Sequence, residues 1–211
     1  MSRPAQPLSR GRIFDAAVAI ADTDGIDAVT MRSLAGALGV HPTSLYNHLA
    51  SKDAILDGLV ERMFEEMSLP TTFRRWDDWV TSFAAAIRRV ARAHRGAFLV
   101  LTRRPAVTAA AMQTTEGALE AFTRAGLPIA VAAEAVSAIS LSLLGLALNE
   151  SSLPPAGPAE PAGGQPAGLP YLEAAIAQAD EGTDATWALA VAVLVDGTAA
   201  RIRRERRRGA T

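Results

Sequence analysis

Apolar side chains recur at three- and four-residue intervals along most of the chain, and no strand-length stretch alternates strictly between apolar and polar. That period predicts helices throughout. After Ser9, a capping residue, Phe14, Ala17, Val18 and Ala21 share one face of a first helix, which Asp24-Gly25 ends. Thr30 caps a second helix over 31–38, and Gly39-Val40 breaks it. Pro42 takes the first position of a third helix running to Leu49, where its fixed φ is suited. Ser51 caps a fourth, striped by Ile55, Leu56, Leu59, Met63 and Met67, with Asp53 in the first turn and Pro70 beyond its end. From residue 73 the predicted helices lengthen. Residues 73–93 carry Trp76, Trp79, Val80, Phe83 and Ile87 on one side, and another helix follows Pro105 and ends at Gly126. Pro128 opens a helix in which Glu134 is the only charge between residues 129 and 148. Residues 171–180 and 184–204 are helical again. Residues 152–170 hold half of the chain's twelve prolines, a density that forbids a regular element and predicts a flexible surface loop.

The segment TMRSLAGALGVHPTSLYNHLASKDAIL, residues 30–56, is more particular than a helical hairpin. Two helices crossing closely at a sharp angle need a small residue at the crossing, a turn residue tolerant of positive φ, and an apolar residue sent back from the second helix. Ala35, Gly39 and Leu45 supply these in turn, with Leu34, Leu38 and Val40 around them. The second helix then points Thr43, Ser44, Tyr46, Asn47 and His48 outward. Asn can bond adenine in one plane, Ser and Thr can reach bases or phosphates, and Tyr and His donate to backbone oxygens. Arg32 and Lys52 flank this face as phosphate clamps, and Thr30 completes the candidate DNA contacts.

Composition changes the picture in three ways. The formal net charge is −1, so attraction to DNA must come from a local patch rather than the whole molecule. There is no cysteine among the 211 residues, which excludes thiolate chemistry and fits a reducing cytoplasm. With 49% hydrophobic and 5% aromatic residues, the core is built from Ala, Leu, Val and Ile. The 129–148 segment is long enough to span a bilayer, but its Ala, Ser and Gly content predicts a buried helix instead.

The stretch from Leu8 to Met63 resembles the DNA-binding domain of the tetracycline repressor (TetR) family, most specifically at Leu45-Tyr46-Asn47-His48 followed by Lys52 and an apolar helix. The resemblance implies that Tyr46, His48 and Lys52 hold phosphates, while Arg32, Thr43, Ser44 and Asn47 lie at the groove. It also implies an all-helical two-fold dimer on a near-palindromic operator, its half-sites about 34–36 Å or a multiple apart.

The remainder is similar, more weakly, to the drug-binding domain of the tetracycline repressors. Trp76-x-x-Trp79, Arg88-Arg89 and Arg104-Pro105 carry that likeness, the last pair at the edge of the family's drug pocket. Three departures matter. Ser68, Phe83 and Val100 stand where those repressors place drug- and metal-binding side chains, and His94 has no carboxylate near it in sequence. The expectation is therefore no metal and no cofactor, with Phe64, Met67, Trp79, Phe83, Ile87, Arg104, Pro105 and Met112 receiving an apolar or aromatic effector. Most of these would serve equally as plain core. Helices 128–149 and 184–200, apolar nearly all round, predict a homodimer through a four-helix bundle, with Ala132, Ala135, Ser142 and Gly145 admitting a close neighbour. The terminal RIRRERRRGAT, with six arginines and one glutamate, is expected to be a solvated tail.

These features predict an all-α, ligand-responsive repressor and not an enzyme. Residues 1–50 form a helix-turn-helix DNA-binding domain, 51–70 a connecting helix, and 71–211 a larger helical bundle for effector binding and dimerisation. The competing readings are a helical-bundle enzyme, which would need paired carboxylates or a phosphate loop, and a regulator with no effector.

Overall fold

A computed structural model describes residues 7–152, 168–178 and 183–209. Serine and threonine caps set three of the first four helices. α1 (Arg10–Asp24) begins where Ser9 accepts the Arg12 N–H and ends at Gly25, φ 88°. A 3₁₀ turn (Ile26–Ala28) leads to α2 (Met31–Leu38), opened by a reciprocal box in which Thr30 accepts from Ser33 N and Ser33 from Thr30 N. Gly39, at φ 65° and ψ 33°, closes α2 in the left-handed conformation. Val40 N then bonds Ala35 O at 3.0 Å, and the chain turns sharply into α3 (Pro42–Tyr46). Ser51 caps α4 (Lys52–Met67).

α3 is shorter than the expected 42–49. His48 N and Leu49 N both bond Leu45 O at 2.9 Å, so the last turn tightens, and the chain leaves the helix to let Ser51 cap α4. α5 (Trp76–Ala93) likewise begins three residues later than expected, because Phe73 is buried ahead of the helix and Arg75, at φ −129° and ψ 147°, takes the cap position. A 3₁₀ turn (Ala97–Leu99) runs into the one-turn α6 (Val100–Arg103). α7 (Ala109–Arg124), α8 (Ile129–Ser152), α9 (Pro170–Gln178) and α10 (Thr183–Arg208) complete the order, with no strand among the described residues. Most of the predicted 152–170 loop lies outside the described residues. The basic end of the chain continues α10 as helix to Arg208 instead of fraying at 204.

One buried cluster joins head and body, from Ile13 and Leu45 through Ile55, Met63 and Trp79 to Leu143 and Ile202. α8 and α10 are both long and apolar enough to cross a membrane by length and composition alone. Each has two faces. On α8, Ala132, Val136, Ile139, Leu143 and Ala147 are buried against this chain, while Leu141, Ser142 and Gly145 are exposed. Ala132 therefore packs inward and does not admit a partner helix, Ala135 is half-buried on the same core, and Ser142 and Gly145 keep the expected outward position. The 3.6-residue period puts 132 and 136 on the stripe opposite 141 and 145.

Candidate functional site

Burial of Leu45 orients the recognition segment. With that side chain fully inside, Thr43, Tyr46 and Asn47 are exposed, Tyr46 at 58%, and Ser44 and His48 are half-exposed beside them. Arg32 and Lys52 are exposed on the flanking helices, so these seven of the eight candidate DNA contacts reach solvent at least in part. Thr30 differs, because its hydroxyl is spent in the α2 cap. His41 was missed by the sequence reading. It occupies the cap position of α3, where Nδ1 lies 2.9 Å from Thr43 Oγ1 and accepts weakly from Thr43 N. A residue before Pro at a helix start was the available signal.

The effector candidates divide. Met67, Trp79, Phe83 and Ile87 are buried together and Phe64 packs on them half-buried. Trp79 stacks on Phe83 (centroids 5.1 Å, 8°) and meets Phe122 edge-on at 5.6 Å. Phe122, from α7, is a core aromatic that sequence reasoning did not single out, although it falls on the 118–121–122 stripe. Among the described residues the buried Trp79 indole N–H has no hydrogen-bond partner, nor has the Thr108 hydroxyl at the start of α7. Arg104 turns away to α4, donating to Asp57 at 2.8 and 2.9 Å with Asp53 at 3.6 Å. Pro105 is exposed and Met112 is 57% exposed, so neither lies with the buried group. Ser68, Phe83 and Val100 are respectively an exposed left-handed helix cap, core and core.

Polar contacts fasten the head to the body. Arg103 pairs with Asp27 of the first 3₁₀ turn, and its hydrogen bond and charge hold the Asp27 carboxyl below the usual carboxylate range. Glu61 of α4 accepts the Ala110 N–H at 3.1 Å, capping α7. His94 corrects the sequence expectation, because carboxylates 28 and 72 residues away flank it: Asp22 at 2.7 Å from Nδ1 and Glu66 at 2.8 Å from Nε2. The same Asp22 accepts the Gly96 and Ala97 N–H groups at 3.1 and 2.9 Å. A Cβ on Gly96 would collide with the Ala21 carbonyl and lie 2.8 Å from Asp22 Cα. Gly96→Ala is thus expected to push α1 off the α5–α6 corner at a cost of about 1–3 kcal/mol. A melting temperature lowered by roughly 2–12 °C would register it. An unchanged melting curve would mean that this contact yields freely.

A helix-turn-helix head followed by a body of longer helices is the architecture of a DNA-binding transcriptional regulator. Residues 13–59 match the bacterial regulatory proteins of the tetR family, and residues 69–202 match the tetracyclin repressor-like C-terminal domain. The chain is 34% identical over 206 residues to the tetracycline repressor protein class A from transposon 1721 of Escherichia coli, covering 92% of each. It is 34% identical over 151 residues to an HTH-type transcriptional regulator of Saccharopolyspora erythraea, a match spanning 71% of this chain and 64% of that one. The TetR family protein ActR of Streptomyces coelicolor, solved in complex with actinorhodin, superposes with a TM-score of 0.78 at 26% identity, over 93% of this chain and 99% of that one. The chain belongs to the TetR family. Its members are transcriptional regulators that act as dimers and are not enzymes.

Proposed function

We propose that the protein is a cytoplasmic repressor that holds a near-palindromic operator as a homodimer and releases it when a small apolar or aromatic molecule enters the body core. The observation that carries the DNA reading is the outward set Thr43, Tyr46 and Asn47 around a fully buried Leu45, with Arg32 and Lys52 beside it. Residues 1–50 then serve operator contact, 51–70 connection, and 71–211 effector binding and dimerisation. Support for an effector comes from the buried Trp79–Phe83–Phe122 group and its unpartnered indole N–H. A buried donor without a partner is costly, and a ligand oxygen would satisfy it. That ActR is solved in complex with actinorhodin supports a small-molecule effector. The core residues Trp79, Ile87 and Met67 are at most 2% exposed, so entry requires them to move. Release follows only if the effector binds the moved conformation more tightly than the operator-bound one.

Binding-site selection on random duplex DNA tests this reading, comparing the wild type with a Tyr46→Ala, Lys52→Ala double variant. A near-palindrome should emerge, and the variant should bind it at least about tenfold more weakly. Loss of the Lys52 contact should also make the salt dependence shallower by about one unit of slope. No enriched sequence, or a variant indistinguishable from wild type, would refute the assignment of this face.

A further inference from the structure

At the end of the body farthest from the head, four arginines surround one cleft. Arg74 and Arg75 precede α5, Arg124 closes α7, and Arg206 lies near the end of α10. The cleft has a volume of about 450 Å³, and Trp76, Asp77, Ala121 and Ala125 supply the rest of its lining. α5 is 18 residues long, so its first turn stands about 26 Å from the His94 end that touches the head. The site lies apart from the recognition face, and its Trp76 wall backs onto the aromatic core, meeting Phe122 edge-on at 5.8 Å.

The charges there do not cancel. Asp77 neutralises Arg75 through two bonds of 2.9 and 2.6 Å, and Glu120 pairs with Arg124. Arg124 also donates to Phe73 O at 3.0 Å, and Arg206 donates from Nε to Ala125 O at 2.8 Å. Those carbonyl contacts hold two guanidiniums in place without removing their charge. Arg206 further packs on Gly126, where a Cβ would come within 3.0 Å of its Nε. Arg74 has no ion pair among the described residues. Arg74 and Arg206 stand outside these ion pairs, and four guanidiniums against Asp77, Asp78 and Glu120 leave a net positive, small-molecule-sized space, with the half-buried indole of Trp76 as an apolar wall.

We propose that this cleft binds a small polyanion carrying at least two negative charges, of the phosphate-ester or polycarboxylate kind, so that the regulator senses a second ligand besides the one in its aromatic core. Arginine suits such a ligand because its planar fork presents paired N–H groups to phosphate or carboxylate oxygens. Arg206 belongs to α10, and α10 carries an exposed apolar face further back. Occupancy would therefore draw the end of that helix toward α5 and α7.

Titration calorimetry on the full chain tests the proposal, with pyrophosphate and citrate as probes and acetate as the singly charged control at matched ionic strength. Wild type should bind pyrophosphate, citrate or both saturably below the millimolar range and acetate not at all; the stronger of the two polyanions identifies the class. An Arg74→Ala, Arg206→Ala variant should weaken that binding at least about tenfold. Arg203→Ala, outside the lining, should not change it. Unliganded melting curves verify that each variant is folded, and Arg74→Ala alone, at an unpaired side chain, supplies the comparison if the double variant is not. No saturable polyanion binding by wild type, or equal binding by the folded cleft variants, overturns the proposal. Operator binding by these variants stays at the wild-type level in either case, which separates this result from failure of the repressor reading.

Discussion

Replacing Leu141 and Leu189 with arginine is expected to yield a folded monomer that has lost at least about 100-fold in affinity for a two-half-site operator while still contacting a single half-site. Leu141 on α8 is 68% exposed, and Leu189 and Val193 on α10 are 66% and 61% exposed. They stand among Ala138, Ser142, Gly145 and Ala192, exposed residues small enough for another helix to approach. An isolated chain gains nothing from holding such side chains in water. Burying one leucine contributes about 1.5–3 kcal/mol, and two-fold symmetry counts each substitution twice. Arginine in the same place would bring an unpaired charge into the contact, at a further cost. Both side chains already face solvent in the protomer, so the substitutions spare its core. Sedimentation would read the assembly, and gel-shift titration on whole and half operators would read the function. A variant that stays dimeric would show that the pairing face lies elsewhere on α8 and α10.

Legibility in the sequence followed distance along the chain. Ala35, Gly39 and Leu45 meet three steric demands within eleven residues, so the head could be read directly. Caps at Ser9, Thr30 and Ser51 were equally local, because each acts on an amide three residues on. The joints between head and body were not legible, since they pair residues far apart. Arg104 meets Asp57 and Arg103 meets Asp27 across separations of 47 and 76 residues, and His94 finds Asp22 across 72. His94, the one histidine in the sequence after residue 70, gave no sign of carboxylates arriving from two other helices. The effector residues were legible only as apolar stripe. Periodicity placed Trp79 and Phe83 inside, but could not tell that Met112 points outward or that Arg104 is held by α4.

Glu150→Gln is expected to destabilise the protein by about 3 kcal/mol and to flatten its acid unfolding. Glu150, 11% exposed near the end of α8, takes bonds of 2.8 and 2.9 Å from Arg88, with Arg92 and Thr183 alongside. Arg88 in turn reaches Asp184 at 2.6 Å and lies over the Trp187 ring at 4.8 Å. One carboxylate thereby ties α5, α8 and α10 together. Burial by itself would raise its pKa, but the hydrogen bonds from Arg88, Arg92 and Thr183 prevail and bring it from 4.5 down to about 2. A folded-state pKa below the unfolded value gives stability that is present above about pH 4.5 and lost as pH falls toward 2. The shift corresponds to about 3 kcal/mol. At neutral pH the variant should melt roughly 6–12 °C lower, and the wild-type advantage should shrink to a small remainder by pH 2. Arg88→Met with Glu150→Leu should recover part of the loss, because removing both charges leaves neither one buried alone. A single variant as stable as wild type at pH 7 would demote the network to a solvated surface cluster. Since α8 and α10 also carry the exposed leucines, slack at Glu150 should weaken dimerisation as well, and with it operator binding. A stable variant with normal dimerisation would show that α8 and α10 are aligned by their apolar contacts alone.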